Sequence, residues 1–224
     1  MTSEGTVLDY REVRNFDRVK LKDFGKLVIK QGDEEALTIE CSPHIMKRVT
    51  VEVKEKELIL GIKGGYIDRF ADFLSSSLSG HQVTFNLYLK ELRSLNISGA
   101  GSGSANGITT DQLVLKLGGA GSIKMEGLTA RKLEVTLTGT GKIDLVGKVD
   151  NQIVSISGAG GYIARKLESK TAKVSLSGAG KGILWATDDL DISITGLGSV
   201  DYYGNPNLKQ NITGLGNVVG LGKP

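Results

Sequence analysis

From Leu113 onward, apolar and polar positions alternate in short runs, and each run stops two residues short of a glycine pair. Leu113, Leu115 and Leu117 lead to Gly119, and Leu133, Val135 and Leu137 lead to Gly139. Gln152, Val154 and Ile156, then Ala172, Val174 and Leu176, then Leu190, Ile192 and Ile194, then Leu208, Gln210 and Ile212 repeat the arrangement. Strict period-2 alternation puts such triplets on one face of a strand. Past the glycines a second short run follows, as in Ile123 and Met125, Ile143 and Leu145, and Val200 and Tyr202. The pattern predicts two strands entering one interior with glycines at the corner between them.

The corner itself is a ladder of Gly-x-Gly: Gly99 and Gly101, Gly119 and Gly121, Gly139 and Gly141, Gly158 and Gly160, Gly178 and Gly180, Gly196 and Gly198, Gly214 and Gly216. Successive first glycines are 20, 20, 19, 20, 18 and 18 residues apart. A fixed period near this length marks a solenoid whose coils stack on one another. Glycine suits the corner because it tolerates positive φ and lets stacked backbones approach closely. One coil cannot offset the entropy of ordering its own residues, whereas a stack of coils can. The expected fold is therefore all-β: a right-handed parallel β-helix with about 20 residues per coil. A β-sandwich fits less well, since it requires neither the period nor a corner in every repeat.

Upstream of the ladder the alternation continues without the glycines. Val19 to Leu21, Lys26 to Ile29, Leu37 to Cys41, Val49 to Val53, Leu58 to Ile62 and Val83 to Leu89 read as strands with one wet face. The exception is the stretch from Gly64 to Gly80, where Ile67, Phe70, Ala71 and Leu74 fall at helical spacing beside Tyr66 and Phe73. It predicts one short helix near 65–78, either capping a sheet end or presenting Tyr66, Ile67, Phe70, Phe73 and Leu74 as an interface. Residues 1–90 thus form an N-terminal β segment with a helical insertion, continuous with the solenoid or capping it, and residues 91–224 form the repeat.

Composition narrows the core and the partners. Hydrophobic residues make up 39% of the 224 residues but aromatics only 5%, so the interior is built of Leu, Ile, Val and Ala. The 31 glycines come with 3 prolines, which is not the bias of a linker or of collagen. The net charge of +3 is spread along the chain, so neither a nucleic-acid stripe nor a polybasic membrane segment is expected. No stretch reaches the roughly 20 apolar residues of a transmembrane helix. The first residues lack a signal peptide's apolar run, leaving a cytoplasmic location or export by a segment not included in this sequence. Cys41, the only cysteine, lies on the apolar face of a strand and reads as a buried, inert thiol.

Several features together resemble one family: Phe16-Asp17-Arg18-Val19, then Val28-Ile29-Lys30-Gln31-Gly32-Asp33, the repeated Ile-Ser-Gly-Ala-Gly rungs, and Tyr202-Tyr203-Gly204-Asn205-Pro206. From about Phe16 to Leu221 the chain is similar to the putative auto-transporter adhesin, head GIN domain family. The resemblance implies a β-helix of the pectin-lyase type, a bacterial origin, export or lipid anchoring, and a role in adhesion. It carries no catalytic residues over to this chain.

Candidate chemistries fit the residues poorly. A dinucleotide site would need Gly99-Ala100-Gly101-Ser102-Gly103 to open a helix, yet the motif recurs among strands. Calcium-binding nonapeptide repeats need Asp after the glycines and half the period, and hexapeptide coils need apolar residues at every sixth position. A polysaccharide lyase needs clustered carboxylates and a basic proton acceptor. The nearest cluster, Asp188, Asp189 and Asp191, reads as a solvated turn, and His44 and His81 as isolated loop residues. No catalytic residue, cofactor or metal site is assigned. The expected function is a non-enzymatic β-helix for adhesion or surface interaction, binding a cell-surface glycan or protein through its flat outer faces. The alternatives are a module that self-associates into a homo-oligomer through its exposed last rung, and, less favoured, a carbohydrate-active enzyme.

Overall fold

The computed structural model describes residues 5–64 and 82–224. In chain order the N-terminal part contains β1 (Val7–Arg11), β2 (Arg18–Leu21), β3 (Lys26–Gln31), β4 (Ala36–Cys41), a one-turn helix α1 (Pro43–Met46), β5 (Val49–Lys54), β6 (Glu57–Ile62) and β7 (Thr84–Leu89). The repeats follow as β8 (Ser94–Gly99), β9 (Ser102–Asn106), β10 (Thr109–Gly119), β11 (Ser122–Gly139), β12 (Lys142–Gly158), β13 (Gly161–Gly178), β14 (Lys181–Gly196), β15 (Ser199–Tyr203), β16 (Asn207–Gly214) and β17 (Asn217–Gly220). The helix expected near 65–78, with Tyr66, Ile67, Phe70, Phe73 and Leu74, lies outside the described residues.

The long elements β11 to β14 each trace one coil of a parallel β-solenoid. In β11, Ile123 and Met125 face inward, then Leu128 and Ala130, then Leu133, Val135 and Leu137. Between these runs lie two successive outward residues, Glu126-Gly127 and Arg131-Lys132. Side chains alternate along a strand, so two outward neighbours mark a bend. Each coil is therefore three-sided. The alternation in the sequence had disclosed two sides. The third is short, held by Val149 in the next coil, then Leu167 and Ser169, then Ala186. We call the side ending at the glycine corner side 1, and the one beginning after it side 2.

Side 1 stacks in unbroken parallel register. Leu115 pairs with Val135, Val135 with Val154, Val154 with Val174, and Val174 with Ile192. The unequal coil lengths are absorbed away from the glycines. Register slips occur between Met125 and Leu128, between Asp144 and Val146, and between Ala164 and Glu168, at the bend after side 2. The corner column stays aligned as a result: Gly119 pairs with Gly139, and the pairing continues through Gly158, Gly178 and Gly196 to Gly214.

Among the described residues the interior is mostly aliphatic, with one buried polar chain. Tyr162 Oη donates to Gln152 Oε1 at 2.8 Å, Gln152 Nε2 donates to Ser169 Oγ at 2.7 Å, and Ser169 Oγ donates to the Trp185 carbonyl at 2.7 Å. Every member of the chain has a partner, the condition under which buried polar groups stabilise a core. The large members are matched by small ones in the adjacent coil, Gly182 next to Tyr162 and Ala172 next to Gln152.

The N-terminal strands join the same sheets. β2 pairs in parallel with β8 and with β6, and β3 with β9 and with β7. Beyond them the direction reverses: β5 is antiparallel to β6, β4 to β7, and β1 to β4. The Gln31 amide fixes this part to the first repeat, donating to the Lys90 and Thr109 carbonyls at 2.9 and 3.0 Å and accepting from Thr109 N at 2.7 Å.

Candidate interaction surface

At the corner the two glycines of each pair have different physical reasons. The first has positive φ, +111° at Gly139, in a region L side chains rarely adopt. The ladder of hydrogen bonds continues round the bend: Thr140 N donates to Gly119 O at 3.0 Å, and Ala159 N to Gly139 O at 3.0 Å. That same Gly119 oxygen lies 2.5 Å from where a Cβ on Gly139 would stand. The second glycine, Gly141, instead lacks room: its Cβ would meet Gly121 O at 2.7 Å and Leu117 Cδ2 at 2.8 Å. The amides here donate to the coil below, so the corner is not arranged as a cradle for an anion. The column also extends one coil further than the glycine pattern indicates. Asp23-Phe24-Gly25 occupies the place below Gly99-Ala100-Gly101, with Ala100 N donating to Asp23 O at 3.1 Å and Ser102 N to Gly25 O at 2.8 Å. Gly25 alone keeps a glycine there, in the second place, where a Cβ would meet Val83 O at 3.1 Å, which is why counting glycine pairs misses it.

The outer face of side 1 carries two adjoining hydroxyl rows. One runs Thr136, Ser155, Ser175, Ser193, and the other Thr138, Ser157, Ser177, Thr195. Along a row the spacing is the roughly 4.8 Å between neighbouring strands, and between rows about 7 Å, two residues of strand. All but Ser193 are exposed, and a shallow hollow of about 250 Å³ lies over them.

Beside these rows, nearer the start of each side-1 segment, lies a trough of about 540 Å³. Its walls are Asn151, Thr171, Asp189 and Asn207 in one column, and Ile153, Lys173, Asp191 and Lys209 in the next. Thr171 Oγ1 donates to Asn151 Oδ1 at 2.6 Å, and Asn207 Nδ2 to Asp189 Oδ1 at 3.3 Å.

Charge pairs elsewhere on the surface link neighbouring coils. Arg131 holds Asp111 through two bonds of 2.7 and 2.9 Å, Lys148 reaches Glu168 at 2.9 Å, Lys170 reaches Asp150 at 2.8 Å, and Lys181 reaches Asp201 at 3.1 Å. The hydrogen bond from Arg131 lowers the Asp111 carboxyl below its ordinary range and raises the Arg131 guanidinium in turn. Exposed to water and salt, such cross-strand pairs align neighbouring coils more than they stabilise them.

The family whose description is putative auto-transporter adhesin, head GIN domain, matches residues 15–206. The chain belongs to this family. Among solved structures it is similar to a putative adhesin from Bacteroides fragilis, at 23% identity and a TM-score of 0.86 with 98% of each chain covered. It is also similar to a putative adhesin from Parabacteroides distasonis, at 20% identity and TM-score 0.71, and to a putative lipid binding protein from the same organism, at 18% identity and TM-score 0.72. Both cover 98% of each chain, and at these identities the likeness establishes the fold. No curated protein matches the sequence.

In this GIN domain the residues weighed for catalysis lie apart. Asp188 accepts from Thr187 Oγ1 at 2.7 Å and Asp189 from Asn207, both carboxylates being exposed to solvent. His44 lies exposed in α1, at the opposite end of the solenoid, and His81 is outside the described residues. Among the described residues no group of His, Cys, Asp or Glu is arranged to hold a metal ion, and no helix is long and apolar enough to cross a membrane. Cys41 is buried on β4 with its Sγ 4.0 Å from Met46 Sδ, and burial, followed by the charge of Asp9, raises its thiol to about 11. A thiol held neutral in this way is a poor nucleophile.

The coil made of β16 and β17 differs from the others. Leu208 and Ile212 continue the inward columns of Leu190 and Ile194, yet they are 38% and 36% exposed, and Leu215 at the corner is 83% exposed. Nothing among the described residues pairs with the outer edges of β16 and β17.

Proposed function

We propose that this GIN domain is a non-enzymatic module for adhesion or surface interaction and that it binds through the outer face of side 1. The carrying observation is the pair of hydroxyl rows beside the polar trough, repeated over several coils on one continuous parallel sheet. A repeat surface of this kind favours extended or repetitive partners, because each coil offers the same groups at the same spacing. The description of the family and of its solved relatives as adhesins supports the reading. A cell-surface glycan or protein is the partner class. The test is retention of protein-coated beads on bacterial and epithelial cell surfaces. Retention should fall several-fold when Ser175 and Ser177 are both replaced by Lys, which leaves the core untouched. Beads that never bind above an uncoated control would sink the proposal.

A second reading, self-association, is favoured by the exposed apolar residues and unpaired strand edges of the last coil. Such edges attract another chain. Sedimentation across a concentration series should then show a dimer or larger species that Ile212→Lys returns to monomer. A monomer at every concentration excludes this reading.

A further inference from the structure

The trough on side 1 places opposite charges in adjacent coils without joining them. Lys173, Asp191 and Lys209 stand in the same column of three successive coils, the spacing at which Arg131, Lys148, Lys170 and Lys181 all reach a carboxylate. Yet among the described residues no ion pair joins Lys173, Asp191 or Lys209 to each other or to anything else. Their donors and acceptor face the trough together with the second oxygen of Asp189 and the amide groups left over from the Asn151–Thr171 and Asn207–Asp189 bonds.

From this we infer that the trough is a binding site for a neutral linear glycan lying along the solenoid axis. The inference rests on the adhesion reading and names its ligand. Three properties of the trough select that class. Donors and acceptors are interspersed, which suits hydroxyl groups, since each hydroxyl both gives and takes a hydrogen bond. The ammonium groups of Lys173 and Lys209 are balanced by the carboxylates of Asp189 and Asp191, and the two other cations of the lining, Arg131 and Lys132, are held by Asp111 and Glu134, so neither a polyanion nor a polycation is preferred. Finally, Ile153 is the one exposed large apolar side chain in the lining, which leaves no pocket for the anchoring residues of a peptide. The geometry repeats as the ligand would. Coils repeat every roughly 4.8 Å, close to the length of one equatorially linked hexose, so an extended glycan of a few residues spans a similar number of coils, its sugars alternating in the face they present. The volume of about 540 Å³ lies in the range of small-ligand sites, roughly 300 to 1,000 Å³.

The experiment is calorimetric titration of the whole chain with hexasaccharides of β1,4-glucose, β1,4-mannose and β1,4-N-acetylglucosamine, with the matching disaccharides and with hexagalacturonate. At least one neutral hexasaccharide should bind saturably, about tenfold or more tighter than its disaccharide and than the uronate. The double variant Lys173→Ala, Asp191→Ala should weaken it about tenfold or more, while Lys124→Ala, Lys142→Ala, exposed on side 2, stays within about twofold of the parent. All four positions face outward, and matching unfolding curves show that the variants are folded. The inference is overturned if no neutral hexasaccharide saturates by about 10 mM, if the uronate binds best, or if the trough variant binds as the parent does. Bead retention on cells alongside any of these results removes the trough and leaves the adhesion reading standing. Loss of both removes both.

Discussion

The two ends of this solenoid are built from the same alternating strands and behave as opposites. At the N-terminal end the chain reverses: β5 closes the edge of β6, and β4 with β1 closes the edge of β7. The outermost strands carry short-range charge pairs, Asp9 with Arg11 at 2.7 Å and Glu52 with Lys54 at 2.6 Å, which discourage another strand from adding. At the C-terminal end the coil of β16 and β17 has Lys209 as its one charged side chain and lies bare. Moving one coil outward along one column, from Ile194 to Ile212, raises exposure from 1% to 36%. The lesson is that an inward-facing residue in a solenoid is buried by the coil above it as much as by its own. Stability should therefore fall toward the C-terminal end, and each of the following experiments tests that gradient.

The largest contrast is expected at the corners. Gly139 and Gly214 have similar positive φ, +111° and +116°, and a Cβ on either would stand 2.5 Å from the glycine oxygen of the coil below. Local strain is thus the same in both. Gly139→Val forces two coils apart in the middle of the stack and should cost roughly 4 kcal/mol or more, or abolish folding. Gly214→Val should unfold the last coil alone, leaving the urea midpoint nearly unchanged while amide exchange quickens in β16 and β17. Equal losses at both sites would mean that the terminal coil shares fully in the cooperative unit. If Gly139→Val left the stack intact, the steric account of the corner would be wrong.

A smaller effect tests the core columns. Ile194→Ala removes a side chain covered on both sides and should cost about 2–5 kcal/mol. Ile212→Ala, its neighbour in the same column, should cost roughly half as much or less, because 36% of its surface stays in water and no coil above it closes a cavity. Chemical denaturation of the two variants gives the difference directly.

The same geometry explains what could be read from the sequence. The solenoid was legible because side 1 supplies three inward residues per coil in strict alternation and the corner repeats a residue type with almost no synonyms. The third side was not, since Leu128 and Ala130 alone are too short a run to show a period. Nor was the corner at Asp23-Phe24-Gly25, where the coil below ends at Ile62 and the first glycine gives way to an aspartate whose carboxylate accepts from Ile62 N at 3.0 Å. The serine and threonine rows were visible as outward positions. The trough was not, because it depends on which charges fail to pair across coils, and pairing between residues 18 to 20 apart follows from register, side-chain reach and bends together.

The last contrast distinguishes the two ends by pH. Cys41 lies in the N-terminal cap, its thiol raised from 9.0 to about 11 first by burial and then by the charge of Asp9. Below pH 9 the thiol is neutral in both folded and unfolded chains, and its contribution is fully present. Between pH 9 and about 11 the unfolded chain gives up the proton while the folded one keeps it. Stability then falls as pH rises, by at most about 1.4 kcal/mol per unit, until the folded thiol ionises as well. Lysines and tyrosines also titrate in this range, so the comparison is with Cys41→Ala. That variant should be less stable at neutral pH by about 1 kcal/mol or more, for the cavity it leaves. The gap between the two proteins should then shrink as pH climbs, because only the parent loses the thiol's contribution. Amide exchange should assign the loss to β4 and its neighbours, with β16 showing the same rates in both proteins at each pH. A gap that stays constant from pH 8 to 11 would mean that Cys41 ionises alike in both states and that the cap does not exclude water from it.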